Sequence, residues 1–246
     1  MKKVLSVMAL GAALASTTYA DIARVEAGAG AWMQTPSGSA NYVATSGGGS
    51  DTLKEDQKTQ SYAWILIKHP IPVIPNIRLE YSTIEAKGTP TGTWGAYSYT
   101  GGTSKIDVTQ YDIIPYYNIL DNTGWVTADL GLDIKLLDAK YTATLAPNTY
   151  EYKKTIPLPM AYLRARVEVP MTGLGIEADA KYVQYNGSTF YDVRAKIDYT
   201  FDEFPVVQPA IEIGYREEKV KIDSSSVDIK TDIKFSGPYV GAMLRF

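Results

Sequence analysis

Trp125-Val126-Thr127-Ala128-Asp129-Leu130-Gly131-Leu132-Asp133-Ile134-Lys135-Leu136 decides how this chain folds. Val126, Ala128, Leu130, Leu132, Ile134 and Leu136 fall on one side of a period of two, and Thr127, Asp129, Gly131, Asp133 and Lys135 on the other. Successive side chains of a β-strand point to opposite faces, so this is a strand with one apolar and one charged face. A helix would spread both sets around its circumference.

The same alternation runs outward from that stretch in both directions. Ala23, Val25, Ala27, Ala29, Ala31 and Met33 oppose Arg24, Glu26, Gly28 and Gly30; Ile77, Leu79, Tyr81 and Thr83 oppose Arg78, Glu80 and Ser82. Leu174, Ile176, Ala178, Ala180 and Tyr182 oppose Glu177, Asp179 and Lys181, and Tyr191, Val193, Ala195, Ile197, Tyr199 and Phe201 oppose Asp192, Arg194, Lys196 and Asp198. Fainter versions occur at Tyr62–Lys68, Pro159–Val169 and Val207–Arg216. In Lys105–Asn118, Ile106 and Val108 fit one register while Tyr111, Ile113 and Tyr117 fit the other, and a β-bulge near Thr109–Gln110 is expected to reconcile them.

Connections alternate in length. Short ones, rich in turn-forming residues, lie at His69–Pro75, Leu120–Gly124, Pro170–Gly173 and Asp202–Pro205. Longer ones lie at Thr35–Lys58, Gly88–Ser104, Ala139–Glu151, Asn186–Ser188 and Lys219–Ser226, with Trp94, Tyr97 and Tyr99 as aromatic candidates for surface contact. Short periplasmic turns and longer extracellular loops mark an all-β, antiparallel transmembrane β-barrel. The count gives ten strands, with eight and twelve left open.

Charge decides which way the barrel faces. The apolar faces carry almost no charge, as lipid demands. The other faces are dense in both signs: Arg24, Arg78, Lys135, Arg164, Arg166, Lys181, Arg194, Lys196, Arg216 and Arg245 against Glu26, Glu80, Asp107, Asp129, Asp133, Glu168, Glu177, Asp179, Asp192, Asp198 and Glu212. These residues are expected to form a charge ladder across a narrow lumen. Trp32, Trp64, Trp125, Tyr81, Tyr116, Tyr117, Tyr182, Tyr199 and Tyr215 are expected at the membrane interface, where amphipathic rings sit well.

Lys2-Lys3, the apolar run Val4–Ala15 and Thr18-Tyr19-Ala20 read as a cleaved signal peptide over residues 1–20, leaving one barrel domain over 21–246. Without Lys2 and Lys3 the basic residues number 22 against 27 acidic ones, so net charge moves from −3 to −5. Such a chain has no electrostatic footprint for nucleic acid. With no Cys, disulfides, thiolate metal sites and a Cys nucleophile are excluded.

Val240, Ala242 and Leu244 share one face of a stretch that ends in Phe246. This resembles the C-terminal signature of outer-membrane barrels, which implies recognition by the barrel-assembly machinery and passage with periplasmic chaperones into outer-membrane lipid. Gly28-Ala29-Gly30-Ala31-Trp32, Pro36-Ser37-Gly38 and Tyr116-Tyr117-Asn118-Ile119-Leu120-Asp121 with the terminal Phe resemble a family of small outer-membrane β-barrels of unknown function from campylobacter-like and related proteobacteria. That resemblance implies fold and location and brings no activity.

Residues for chemistry are sparse. The single histidine, His69, lies in a turn expected at the periplasmic rim, whereas ten-stranded outer-membrane proteases combine aspartates with a His near the outer rim. Gly28-Ala29-Gly30 lacks the third glycine of a dinucleotide fingerprint and no helix follows. No catalytic residue, cofactor or metal is therefore expected, and the chain is read as no enzyme. A structural or surface-interaction barrel with an ion-pair-filled lumen is the first functional expectation, a narrow pore for small ions or solutes the second, and an outer-membrane enzyme the third.

Overall fold

The computed structural model describes residues 23–246 except 45–46, 72, 95–96, 100, 146–147, 202, 205 and 224–228. The expected signal peptide lies outside the described residues, as do the side chains of Trp94, Tyr97 and Tyr99. Among the described residues every regular element is a strand: β1 Arg24–Ala44, β2 Gly47–Leu53, β3 Lys58–Lys68, β4 Asn76–Trp94, β5 Tyr97–Tyr99, β6 Thr103–Thr123, β7 Val126–Leu145, β8 Asn148–Glu168, β9 Leu174–Tyr185, β10 Ser188–Thr200, β11 Gln208–Ile222 and β12 Ile229–Arg245.

All pairings are antiparallel, and β12 pairs back onto β1 from Glu26↔Arg245 to Tyr42↔Ile229. The ring of hydrogen bonds passes through ten strands, because β2 and β3 are successive pieces of one descending strand and β5 only folds back on β4. Closure removes the unpaired edge that lipid cannot satisfy. Phe246 completes the seam: its N–H donates to the Val25 carbonyl at 2.9 Å, and its carbonyl accepts from the Val25 N–H at 3.3 Å. Val240, Ala242 and Leu244 face outward on that strand.

The alternation read from the sequence sets the two surfaces. Leu130, Leu132 and Ile134 are exposed on the outer wall, while Asp129, Asp133 and Lys135 are buried inside. Ile77, Leu79, Ile113, Leu163, Ile176, Ile197, Ile211 and Ile213 continue the exposed apolar belt around the ring. Charge returns to the outer wall directly above it, with Glu85, Asp107, Lys140, Glu151 and Lys219.

Four sequence expectations are corrected. No bulge occurs at Thr109–Gln110, where the register with both neighbours is continuous; the shifts lie between Asn118 and Thr123, at the turn into β7. Ile106 and Val108 face inward because above the membrane belt the interior is apolar, so the apparent register conflict is a change of environment. The longer connections are mostly strand: β7 and β8 stay paired from Val126↔Val167 up to Leu145↔Asn148. Asn186–Ser188 is a two-residue turn, with Asn186 at φ 47° and Gly187 at φ 80°, the left-handed pair that matches strand twist. Third, Trp32, Trp64 and Tyr116 point into the lumen, whereas Trp125, Tyr117, Tyr182, Tyr199 and Tyr215 are exposed outside. Fourth, Asp107 belongs to the outer wall, paired with Lys105 at 2.7 Å.

Candidate functional site: the charged lumen

Alternate residues of every strand converge on the barrel axis, and they carry the ladder. At the end where both chain termini lie, Glu26 meets Arg24 at 2.5 Å and Arg245 at 3.2 Å. Arg166 forks onto Asp198 at 2.6 and 3.0 Å, and Arg245 joins the same carboxylate at 2.8 Å. Arg164 bridges Asp129 at 2.6 Å and Glu177 at 2.7 Å, and Glu168 lies half-buried at the mouth beside Arg166 at 3.1 Å.

The middle tier adds aromatic faces. Arg78 binds Glu80 at 2.5 Å, and Arg194 joins Glu80 at 2.6 Å to Asp179 at 2.8 Å. Glu212 accepts from the Tyr62 hydroxyl at 2.8 Å and the Trp64 indole at 3.2 Å, and pairs with Lys196 at 2.9 Å. Arg78 and Lys196 lie over the Trp64 ring at 4.9 and 4.7 Å, and Arg216 over Trp32 at 4.5 Å, contacts that gain strength when desolvated. Gly28 makes room for this packing, since a Cβ there would stand 2.6 Å from the Trp64 indole nitrogen.

In the outer tier Lys181 ties Glu80 at 2.6 Å to Asp112 at 2.5 Å, and Lys135 holds Asp112 at 2.9 Å and Asp192 at 3.4 Å. Arg216 spans Asp192 at 2.8 Å and Glu218 at 3.0 Å, and Gln110 donates to Glu218 at 2.6 Å. Asp133 stands apart: neither carboxylate oxygen has a hydrogen-bond partner among the described residues, and Lys181 is 3.9 Å away. Its strand neighbours on β6 and β8, Ile114 and Met160, are apolar and buried. Of the ladder residues named from the sequence, all but Asp107 therefore face the interior. Asp112, Gln110 and Glu218 were missed, and so were the lumen aromatics, although Trp32 shares the parity of Arg24 and Glu26.

Above the tiers the interior turns apolar. Leu53, Ile84, Ala86, Ala143, Ile233 and Phe235 are buried there, with Ile106, Val108, Tyr141 and Tyr150 packed against them. Asp51 is wholly buried in this cap and accepts from the Tyr141 hydroxyl at 2.9 Å. Burial pushes its carboxyl above the ordinary range, against the hydrogen bond from Tyr141. On the outer wall, hydrogen bonds from Lys140 and Lys153 hold the Glu151 carboxyl down at about 2.

Two small cavities lie among the described residues. One lumen cavity, between Trp32, Trp64, Arg194 and Tyr239, measures about 20 Å³, and another at the mouth near the chain termini, by Arg24, Lys68 and Asn118, about 30 Å³. Each holds roughly one or two waters. Among the described residues no group of three His, Asp or Glu side chains could hold a metal. His69 organises its turn, with Nε2 at 3.1 Å from the Pro75 carbonyl and Nδ1 accepting from the Ile71 N–H at 3.2 Å.

No protein-family model matches the sequence. No curated protein matches it either. Among solved structures it is similar to the outer membrane protease OmpT from Escherichia coli, at 9% identity and a TM-score of 0.55, over 91% of this chain and 96% of that one. It is also aligned with the translocator domain of the autotransporter NalP from Neisseria meningitidis, at 14% identity and a TM-score of 0.43, over 100% and 95% of the two chains. The fold is thus that of an outer-membrane β-barrel. The reading of the chain as no enzyme is corrected by the first of these: a barrel matched over nearly its full length is a protease, so this architecture houses catalysis and scarcity of sequence motifs does not exclude it.

Proposed function

We propose that this protein is a barrel of the Gram-negative outer membrane with a sealed lumen, acting through the part that rises above the membrane. The observation that carries the reading is the continuous lattice of ion pairs from Glu26 to Glu218, overlaid by an apolar cap. Ions crossing it would have to displace buried salt bridges, each strongly destabilising to break one-sidedly. The strands above the belt, by contrast, present charged and aromatic side chains to the outside.

Delivery through a signal peptide over residues 1–20, insertion by the barrel-assembly machinery through Phe246, and transit with periplasmic chaperones belong to the same proposal. So does kinship with the small barrels of campylobacter-like proteobacteria, which rests on the residues quoted for it. A narrow pore is the second reading, favoured by the two water-sized lumen cavities.

Planar-bilayer recording of the refolded chain separates them. The sealed lumen gives a flat baseline. Reproducible discrete openings, with ion selectivity changed by Arg164→Ala or Asp133→Ala, would establish the pore instead.

A further inference from the structure

The barrel wall is not equally tall all round. β7 and β8 stay paired as far as Leu145↔Asn148, whereas β9 and β10 end at the Asn186-Gly187 turn and β11 at Ile222. On the outer wall below that turn Tyr182 stands opposite Tyr191, their hydroxyls donating to Gln184 and Glu217 at 2.8 and 2.6 Å. Amphipathic rings of this kind sit at the headgroup level of a bilayer, so the low rim only just clears the membrane.

Inside the low rim the interior is apolar without being closed. The cap is buried on the side of β2 and β4, at Leu53, Ile84 and Ala86. On the far side Leu137 and its cross-strand partner Ile156 are only partly buried, and so are Leu158, Val183 and Val220. Phe190 lies between Val183 and Val220 in the register and is buried at their base. Tyr185 shares the inward parity of Val183 and is nevertheless 82% exposed. A partly open apolar strip above a charged floor is the shape of a ligand site, provided a polar group fixes the ligand's orientation.

Lys154 is that group. It continues the inward face of β8 above Leu158 and Ile156, opposite Ala139, and it is exposed. It meets no carboxylate among the described residues, whereas Lys140 and Lys153 on the outer face each hold Glu151 at 2.8 Å. We infer that the strip binds a long-chain fatty acid from the medium, with its carboxylate on Lys154 and its chain over Ile156, Leu158, Val183 and Val220. The inference rests on the reading that the protein acts through the part above the membrane, and it names the ligand. The strip runs about 13 Å down β8 to Leu158, at roughly 3.3 Å per residue, and about 14 Å across to β11, at about 4.8 Å per strand. That is room for a long acyl chain. Charge and height choose the source. Ala161 faces Tyr182, which sets the turn beside Pro157 and Lys154 about 10 Å above it. A lipid of the outer leaflet keeps its head lower, at the level of Tyr182, so the carboxylate on Lys154 arrives from the water.

The test uses the refolded full chain in phosphatidylcholine vesicles and palmitate carrying a diazirine near its methyl end, with the photolabelled residues found by mass spectrometry. Label should fall on Leu158 and Val183 and be displaced by plain palmitate. It should drop several-fold with Lys154→Glu and persist with Lys154→Arg, and hexadecanol, which lacks the charge, should compete several-fold less well. A gel shift on boiling shows that each variant is a folded barrel. Label confined to lipid-facing residues such as Leu163 and Ile176, equal labelling of Lys154→Glu, or equal competition by hexadecanol overturns the inference. The same inward label from a diazirine phosphatidylcholine overturns it too, in favour of a membrane lipid. Silent bilayers without inward label would leave the sealed lumen standing, and channel openings with label that depends on Lys154 would do the reverse.

Discussion

Arg166 shows what a single lumen residue does. It is 2% exposed and serves Asp198, Glu177 and Glu168 together. Arg166→Ala strands carboxylates in the interior and should cost about 3–5 kcal/mol, measured by urea unfolding in vesicles. Arg24→Ala, at the wetter mouth, should cost about 1 kcal/mol or less. Asp51 gives the opposite sign of pH dependence from a paired carboxylate. Its raised pKa means the folded cap holds a proton more tightly than the unfolded chain. Its contribution is full below the ordinary Asp range and is lost as pH rises through the raised value. Hydrogen exchange of β2 should therefore be slower in acid, and Asp51→Asn should flatten that dependence. The ladder was legible in the sequence wherever both faces kept one character, as around Asp133 and Lys135. Asp112 was not, because Ile106 and Val108 share its face and period two alone cannot say that the interior changes from charged to apolar along one strand. Trp32 and Trp64 were misassigned since an indole stacked on a guanidinium and one at a lipid interface look the same in sequence.

At the scale of the element, β7 carries the contrast between membrane and water. Leu132 is 64% exposed in the middle of the apolar belt. Leu132→Arg should cost about 2–4 kcal/mol of folding free energy, since a midplane charge on the lipid face is penalised by that much. Thr144→Arg, on the same strand above the belt, should stay within about 0.5 kcal/mol, read by the same urea titration. Strand existence and facing were readable from periodicity, but strand length was not. Ala139–Glu151 is polar and threonine-rich, which reads as a loop, yet its residues pair with one another up to Leu145↔Asn148. The cap that those extended strands enclose is made by residues far apart in sequence, such as Leu53, Ile84 and Phe235, and no local pattern announces it.

For the whole molecule, two surfaces of opposite character follow from one arrangement: lipid-compatible side chains outside, a lattice of ion pairs inside, and a seam closed by Phe246 on Val25. The closed sheet should make the detergent-solubilised protein migrate differently on a gel before and after boiling. The arrangement itself can be read directly, because the chain has no Cys and each introduced thiol is unique. Single Cys substitutions from Val126 to Leu136, labelled with a small fluorophore in vesicles of brominated lipid, report which positions face the acyl chains. The inside-out barrel predicts strong quenching at Leu130, Leu132 and Ile134, and poor labelling without quenching at Asp129, Asp133 and Lys135. Quenching in the reverse order, or with no alternation along the strand, would contradict it.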